Sequence, residues 1–285
     1  MLHGYNPTHR FLPYLSWTQI ADLPDKENTV IVLPTGATEQ HGPHLPCAVD
    51  TVISAGVVGH ALARLQAHIP AFAMAPITYG KSEEHLHFPG TMTLTGETLL
   101  ATMNEIGESV YRAGFRKLLI VNGHGGQPQV MEMAARELRL RHGDFIVVPS
   151  FTWRVPNVAG QYMSEREKKL AMHAGHAETA IMLALAPDTV HMEKAVANYP
   201  PEFPSKLLSP DGRPACAWTA RDFGPSGIIG DPQPATAEQG SAILDSLADS
   251  WAAAITELFE LRWQARAEPT WSRAHYTGHI QQNLE

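Results

Sequence analysis

The sequence lacks the features that define several large classes of protein. It has only two cysteines in 285 residues, which are too few for a disulfide framework and do not have zinc-finger spacing. A reducing compartment, the cytoplasm, is therefore the simplest expectation. The chain also has no run of about 18 apolar residues that could span a bilayer. Its amino terminus shows no basic segment followed by an apolar one, so we expect no signal peptide.

An excess of basic residues is absent as well. The chain carries 21 Lys and Arg against 29 Asp and Glu, which gives a formal net charge of −8. Nucleic acids and anionic membranes both bind basic surfaces, so we expect neither as a partner. The one short basic cluster, Arg166 to Lys169, is interpreted as a solvated helix face. A small molecule is the expected substrate.

No internal repeat and no low-complexity linker divides the chain, so we expect one domain over residues 1–285, with its core at about 15–265. Strand-like and helix-like segments alternate, which predicts an α/β fold with a mostly parallel central sheet and helices on both faces. The predicted strands are Thr29–Pro34, Ile69–Thr78, Lys117–Val121 and Phe145–Ser150. The predicted helices are Thr51–Leu65, Glu97–Ala113, Pro128–Arg141, His176–Ala186 and Ala237–Ala267. Residues 198–235 are rich in Pro and Gly and are expected to be irregular, with a role in function or in a subunit contact.

Histidine is the residue that stands out in what is present. The chain has 15 histidines, and seven of them fall in four short segments punctuated by Gly and Pro. Histidine is both the commonest metal ligand and the usual acid or base at neutral pH. These seven are His41, His44, His85, His87, His124, His173 and His176.

The first of these segments follows the first predicted strand and contains Glu39, His41 and Asp50. Glu39 and His41 are two positions apart, so an extended backbone directs both side chains to the same side. Glu, His and Asp together form a mixed oxygen and nitrogen ligand set that suits Zn²⁺, Mn²⁺ or Fe²⁺. Asp50 could instead cap the next helix, although that role would not explain Glu39 and His41.

The second segment, Asn122-Gly-His124-Gly-Gly126-Gln127, directly follows the third predicted strand. Its glycines allow the backbone to approach a ligand closely. A phosphate-binding loop is the rival interpretation, but the segment lacks the Lys and Ser or Thr of a P-loop. We therefore favour His124 as a metal ligand, with a structural glycine turn as the remaining alternative.

The third segment places His173 just before a predicted helix and Glu178 in the first turn of that helix. A carboxylate in a first helical turn is favoured by the helix dipole alone. The residues after Glu178 are apolar on every side, however, which predicts that Glu178 faces the interior. A buried carboxylate needs a partner, and a metal ion would supply one.

The fourth segment, Tyr79 to Thr91, follows the second predicted strand and contains Ser82 and His85. It could line a substrate pocket, although surface-loop histidines would explain it equally well. Three of the four segments begin at the carboxyl ends of predicted parallel strands, where ligands bind in open α/β sheets. This common placement predicts a single site.

Taken together, these motifs resemble the creatininase (creatinine amidohydrolase) family. The resemblance rests on Gly36-x-x-Glu39-x-His41-Gly-Pro-His44, Gly80-x-Ser82-x-x-His85, Asn122-Gly-His124-Gly-Gly126, His173-x-x-x-x-Glu178 and Gly227-Ile-Ile-Gly230-Asp231-Pro232. It implies a three-layer α/β/α domain, a homo-oligomer with a hexamer favoured, and one or two divalent metal ions per chain, Zn²⁺ before Mn²⁺ or Fe²⁺. The implied metal ligands are Glu39, His41, Asp50, His124 and Glu178, with Asp50 as the bridging carboxylate.

The resemblance also implies the remaining site residues. His173 matches the catalytic histidine of the family, and Glu39 is expected to share in catalysis. Ser82, His85, Gly125 and Gly126 are the expected substrate-binding residues. The implied reaction is the hydrolysis, by a metal-bound hydroxide, of a carbon–nitrogen bond other than a peptide bond in a small amide, formamide or cyclic amide.

The sequence departs from creatininase itself at three places. Creatininase has a glutamate where this chain has Gly126, and a tryptophan where it has Lys169. The second pocket tryptophan would fall near Thr152, with Trp153 displaced by one position. The Gly-Gly form of the motif instead resembles family members such as the formylaminopyrimidine deformylases and the mycofactocin precursor peptidase. The alternatives to an amidohydrolase are a metal-dependent isomerase or lyase of a polar metabolite and a non-catalytic metal-binding protein.

Overall fold

The computed structural model describes residues 2–263, except residues 201–204, 206, 211 and 213. Within these residues, four parallel strands form one sheet in the order β2-β1-β3-β4. The strands are β1 (Val30–Thr35), β2 (Ala71–Ala73), β3 (Lys117–Asn122) and β4 (Ile146–Phe151). Val30 pairs with Ala71 on one side and with Lys117 on the other, which sets the register of the sheet.

Helices connect and cover these strands. Their bounds are α1 (Trp17–Ala21), α2 (Val49–Arg64), α3 (Gly96–Arg112), α4 (Pro128–Arg141), α5 (Ala159–Tyr162), α6 (Glu165–Leu170), α7 (His176–Leu185) and α8 (Ala237–Glu260). In chain order, α2 joins β1 to β2, α3 joins β2 to β3, and α4 joins β3 to β4. Parallel neighbours require such crossover connections, so the helices follow from the strand direction.

Two hydrophobic cores lie on opposite faces of the sheet. Successive residues of a strand point to opposite faces. Accordingly, Val30 and Val32 pack in one core with side chains of α2, α7 and α8, whereas Ile31 and Leu33 pack in the other with side chains of α3 and α4. The predicted three-layer α/β/α arrangement with a parallel sheet is therefore confirmed.

The strand order creates a crevice at one edge of the sheet. From β1 the chain crosses to β2 on one side, and β3 then returns to pair on the other side of β1. Crossovers that diverge in this way leave a gap beyond the carboxyl ends of the two central strands, and ligands of doubly wound proteins bind there. The loops that follow β1 and β3 open into this position.

Four of the five predicted helices and three of the four strands agree with the observed bounds to within about two residues, a usual uncertainty for element ends. The prediction for the second strand, Ile69–Thr78, is wrong in length, because β2 is only three residues long. Pro76 lacks a backbone N–H, as does Pro34 on the neighbouring strand, so a regular ladder cannot continue. The chain keeps only single hydrogen bonds there, such as Ile77 N to Pro34 O.

The long final helix is shorter than predicted in the described residues. It ends at Glu260, and residues 264–267 of the prediction lie outside the described residues. The segment 198–235 is largely irregular where it is described, with one short 3₁₀ helix at Ala220–Phe223. No helix in the described part of the chain combines the length and apolar character that crossing a membrane requires.

Candidate metal centre

The crevice at the carboxyl ends of β1 and β3 gathers all five expected metal ligands. Glu39 and His41 lie on the loop after β1, and His124 lies two residues beyond the end of β3. Asp50 is the second residue of α2, and Glu178 is in the first turn of α7. The residue before α2 is Ala48, which makes no side-chain cap, so Asp50 does not serve as the N-cap of this helix.

Close packing of glycines brings these loops against the start of α2. A Cβ atom on Gly123 would collide with the backbone carbonyl of Asp50, and one on Gly36 would collide with the backbone of Thr51. Larger residues at either place would push the loops after β1 and β3 away from α2. The glycines of the two motifs therefore allow the loops to approach α2 closely enough for the acidic and imidazole side chains to meet.

Three groups of side chains in the described residues could hold a cation. Glu39, Asp50 and His124 form the first, called here the Glu39 site, and a further group, Glu39 with His85 and His173, shares Glu39 with it. Nδ1 of His124 lies 3.1 Å from Oε2 of Glu39 and 3.2 Å from Oδ2 of Asp50. The other ring nitrogen, Nε2, lies 2.9 Å from the backbone oxygen of Lys81, so Nε2 carries the proton and donates it. This leaves Nδ1 of His124 as the nitrogen that faces the two carboxylates.

His41, His173 and Glu178 form the second group, called here the His41 site. Each residue offers one atom, and these atoms lie within 4.8 Å of one another. Asp50 joins the two sites, because its Oδ1 lies 3.3 Å from Nε2 of His41 while its Oδ2 faces His124. This is the position that a bridging carboxylate would occupy.

Buried atoms without partners provide the test of whether cations fit here. Among the described residues, Oε1 of Glu39, Nε2 of His41 and Oδ2 of Asp50 are all buried and make no hydrogen bond. Buried polar atoms are nearly always paired, and unpaired charges are the most costly. Divalent cations would satisfy all three atoms, and the mixture of carboxylate and imidazole donors is the set that zinc and similar ions prefer.

The pKa values of these groups reflect the same crowding of acids. Burial lowers the pKa of His41, but the carboxylates of Asp50, Glu178 and Glu39 outweigh burial and raise it to about 9. Burial, together with the neighbouring Asp50 and Glu39, raises the pKa of Glu178 to about 7 against the opposing effect of His41. Burial also opposes ionisation of Asp50, yet His41 and His124 hold the pKa of Asp50 well below its usual range.

His173 stands at the wall of the site with its ring orientation fixed. Its Nε2 lies 2.7 Å from the backbone oxygen of Gln40, and its Nδ1 lies 3.7 Å from Oε1 of Glu39. Burial and the nearby His41 and His85 lower its pKa well below the ordinary value, so its ring is neutral. The next residue, Ala174, has a φ of 54° and donates its backbone N–H to Oε2 of Glu178 over 2.6 Å. A left-handed conformation is costly for a residue with a Cβ, so this turn is held by its surroundings.

A cavity of about 460 Å³ opens above the two sites. His85, Gly125 and Gly126 line this cavity, as does His173. Ser82 differs from the expectation of substrate contact, because it is fully buried and its hydroxyl donates to Oε2 of Glu39. The hydrogen bond from Ser82 therefore fixes the orientation of the Glu39 carboxylate.

The sequence patterns missed several residues of the cavity, among them Glu84, Arg154 and Trp218. Oε1 of Glu84 lies 3.3 Å from Nε2 of His124 and occupies the space that a side chain at Gly126 would need. Trp218 comes from the irregular segment 198–235, and its ring meets that of His85 edge-on at 6.4 Å between centroids. The Gly-Gly motif indicates open space beside His124, but it does not identify the side chain that fills this space.

Comparisons with known proteins agree with this geometry. The sequence profile of the creatininase family, described as creatinine amidohydrolase, matches residues 13–255. The mycofactocin precursor peptide peptidase of Mycobacterium ulcerans (strain Agy99) is 35% identical over 225 residues, which cover 77% of this chain and 81% of the relative. The creatinine amidohydrolase of Pseudomonas putida is 33% identical over 263 residues, covering 87% and 97%.

Solved structures give the same result for the fold. A structure described as creatininase Mn superposes with a TM-score of 0.74 at 30% identity, covering 88% of this chain and 99% of the other. The profile match spans most of the chain, and the centre lies where the family's motifs place it. The chain therefore belongs to the creatininase family and is a metal-dependent hydrolase of carbon–nitrogen bonds.

Proposed function

We propose that this enzyme opens the carbon–nitrogen bond of a small amide, formamide or cyclic amide, with Glu39, His41, Asp50, His124 and Glu178 holding two divalent cations. The observation that carries the proposal is the set of buried atoms of Glu39, His41 and Asp50 that have no hydrogen-bond partner among the described residues. Zn²⁺ is the proposed ion, because two of the five donors are imidazoles. Mn²⁺ and Fe²⁺ remain compatible with the same donor set.

When bound, such cations lower the pKa of a coordinated water and polarise the carbonyl oxygen of the substrate. His173 supplies the proton transfer. Its neutral ring donates Nε2–H to the carbonyl of Gln40, which leaves the lone pair of Nδ1 facing the site. Nδ1 can therefore take a proton during attack and return it to the leaving nitrogen. Glu39 faces Nδ1 of His173 and would stabilise the imidazolium that forms in between.

The features of the cavity favour an open amide over creatinine as the substrate. The resemblance to creatininase implies a glutamate and a tryptophan at the positions of Gly126 and Lys169, whereas the aromatic residues that line this cavity are Phe151 and Trp218. A relative of this chain is named as a peptidase that acts on a precursor peptide, so amides larger than creatinine are accepted within the family.

The proposal is tested by metal analysis together with a panel of formamides, linear amides and cyclic amides. Purified enzyme should carry one or two Zn²⁺, Mn²⁺ or Fe²⁺ ions per chain, and Asp50→Ala and His124→Ala should lose ions and at least 100-fold in activity. His191→Ala changes an exposed histidine and serves as the matched control. Protein that holds no metal, or variants that keep both metal and activity, would contradict the proposal.

The type of reaction is tested in water enriched in ¹⁸O. Hydrolysis places one solvent oxygen in the carboxylate of the product, whereas an isomerase would place none. His173→Gln should reduce turnover without releasing metal if His173 acts on protons. An unchanged rate in this variant would contradict the role proposed for His173.

We further propose that residues 1–285 form one domain and that the protein works in the cytoplasm as a homo-oligomer, with a hexamer favoured. The resemblance to creatininase supports this assembly, and the low number of cysteines supports a reducing compartment. Sedimentation velocity should give a species near six times the chain mass of 31.2 kDa. A monomer at micromolar concentration would refute the assembly.

A further inference from the structure

Arg154 is a charged residue of the cavity that the proposed chemistry leaves unused. It ends the short 3₁₀ helix Thr152–Arg154 directly after β4, so it lies at the same edge of the sheet as the two ligand sites. It is exposed, and it lines the cavity together with Phe151, Gln129 and Glu132. A flexible, water-accessible guanidinium at this position can reach a bound molecule without disturbing the core.

The cavity is otherwise acidic. Among the described residues that line it, five are acids and Arg154 is the one Lys or Arg; the acids are Glu39, Asp50, Glu84, Glu132 and Glu178. Across the described residues, no carboxylate lies within 4.0 Å of Arg154, whereas Arg64, Arg116 and Arg141 all form ion pairs. Bound cations would neutralise the negative charge of the carboxylates that hold them. The guanidinium of Arg154 is then available for an anionic group of a ligand.

We propose that Arg154 binds a carboxylate of the substrate, which identifies the substrate as an amide that carries a free carboxylate near the scissile bond. N-acyl amino acids and the terminal unit of a peptide belong to this class. The guanidinium fork matches a carboxylate with two parallel hydrogen bonds. This inference rests on the proposed function, because the amide must reach the cations while its carboxylate reaches Arg154.

Two hydroxamates test this inference on the zinc-loaded enzyme. Acetohydroxamate offers only the metal-binding group, whereas succinate monohydroxamate adds a carboxylate. Charge-assisted hydrogen bonds are worth about 1.5–3 kcal/mol, so calorimetry should show the second compound binding roughly 10- to 100-fold more tightly. Arg154→Gln should remove this difference and leave the affinity for acetohydroxamate unchanged, while Arg154→Lys should keep part of it. Arg136→Gln, on the exposed side of α4, is the control.

Each outcome of the hydroxamate experiment either supports or overturns the carboxylate site. Equal affinities for the two hydroxamates in the wild-type enzyme, or a preference that survives Arg154→Gln, would overturn the carboxylate site while leaving the amidohydrolase proposal intact. If neither compound binds to protein that holds zinc, both the carboxylate site and the proposed function are wrong.

A second inference comes from Gln40, which lies between the ligands Glu39 and His41 and is almost fully buried. Its Oε1 accepts a hydrogen bond from Gly42 N at 2.8 Å, which fixes the orientation of the amide. Its Nε2 lies 3.0 Å from Gly227 O, 2.8 Å from Nδ1 of His85 and 3.1 Å from Nε2 of His173. Nε2 of His173 donates to the backbone carbonyl of Gln40, so the two amide protons of Gln40 go to Gly227 O and to His85. Because the amide nitrogen can only donate, Nδ1 of His85 must accept.

We infer that Gln40 is a positioning residue that sets opposite tautomers in His85 and His173. Its side chain leaves His85 with the proton on Nε2, which faces Oε1 of Glu39 at 3.5 Å. Its backbone carbonyl leaves His173 with the lone pair on Nδ1. His85 thus presents an N–H donor on the side of Glu39 and the cavity, and His173 presents an acceptor.

Nitrogen NMR of zinc-loaded protein with ¹⁵N-labelled histidine tests this assignment, with His85→Gln and His173→Gln identifying the signals. The wild type should show an unprotonated Nδ1 in His85 and an unprotonated Nδ1 in His173. Gln40→Glu replaces the donor with an acceptor, so it should move the proton of His85 to Nδ1 and leave His173 unchanged. A protonated Nδ1 in wild-type His85, or a tautomer that ignores Gln40→Glu, would overturn the inference.

Discussion

At the scale of single residues, the main peculiarity of this centre is the carboxylate of Glu84 beside Gly126. Gly126, on the loop after β3, has no side chain, and Glu84, on the loop after β2, occupies the space that a Cβ there would need. Glu84 reaches the proton-bearing nitrogen of His124, beside the carbonyl of Lys81. Acids that hydrogen-bond to a ligating imidazole orient it and raise its basicity.

We therefore expect Glu84→Gln to weaken zinc binding by about tenfold, within the roughly 10- to 100-fold range that such supporting groups contribute. Competition with a chromophoric chelator measures the affinity directly. Glu83→Gln, at the exposed neighbouring position that pairs with Lys81, is the control. Equal affinities in both variants would show that Glu84 has no influence on His124.

His44 should make the protein sensitive to acid. Its ring is fully buried, and burial together with the nearby His41 lowers its pKa to about 4. The unfolded chain binds a proton at His44 near pH 6.5 and the folded chain only near pH 4, so between these values the unfolded state holds more protons. The stability that neutral His44 contributes is therefore present above pH 6.5 and is lost as the pH falls to 4, by up to about 3 kcal/mol.

Urea unfolding of the metal-free protein at pH 4.5, 5.5 and 7 measures this loss. His44→Gln keeps a hydrogen-bonding group beside Thr179 but cannot be protonated, so its unfolding free energy should fall less steeply with acid. Parallel pH profiles for the two proteins would contradict the assignment to His44.

Residue patterns in the sequence were sufficient to select the residues that meet at this centre. Glu39, His41, Asp50 and His124 follow strands or begin helices, and parallel strands bring such positions to one edge. Glu84 and Trp218 could not be selected in this way, since each depends on how a loop folds back over the site. Loop paths are set by tertiary contacts that have no sequence period.

At the scale of elements, the contact between α7 and α8 depends on a glycine. A Cβ on Gly240 would collide with the carbonyl of Ala180 on α7, so the two helices meet backbone to backbone. Since α7 carries Glu178 in its first turn, a shift of α7 would also move a ligand of the His41 site.

Gly240→Ala should therefore lower the free energy of unfolding by more than about 2 kcal/mol, although alanine favours a helix intrinsically. Thermal and urea unfolding measure the loss. Ser241→Ala, at the exposed next position of α8, is the control and should change stability by less than about 0.5 kcal/mol. A Gly240→Ala variant as stable as wild type would show that α7 and α8 can separate at no cost.

The elements themselves were largely predictable, with one instructive exception. Helix α4 has the predicted bounds, because Pro128 opens it and the apolar positions repeat with the helical period. The second strand was predicted from its apolar character, which extends well past Ala73. Apolar character indicates burial, but prolines in two neighbouring strands decide where pairing ends.

At the scale of the whole molecule, metal binding should release protons from the histidine ligands. Burial works against protonation of His124, but Glu39 and Asp50 outweigh it and raise the pKa of His124 well above its ordinary value. The pKa of His41 is about 9 for the same reason. Both rings are therefore protonated in metal-free protein at neutral pH, and both must lose a proton to bind a cation.

Calorimetric titration of metal-free protein with zinc at pH 7 should therefore release about two protons per chain from the imidazoles, together with the fraction still bound to Glu178, whose pKa is about 7, since ligands must be deprotonated. The apparent enthalpies in phosphate and in Tris differ in proportion to the number released. Protein with His41→Gln should release about one proton fewer. A binding enthalpy that is the same in both buffers would refute this exchange.

The ligands of the two sites come from widely spaced parts of the chain, from Glu39 on the loop after β1 to Glu178 on α7, which follows the last strand in sequence and packs against α8 and α2. A chain still emerging from the ribosome could expose the first acids and imidazoles long before α7 exists. Such a chain would have only some of the metal ligands and would bind an ion weakly. Tight binding of the ion should therefore occur late in folding. A chain that holds its metal ions has already brought these distant segments together.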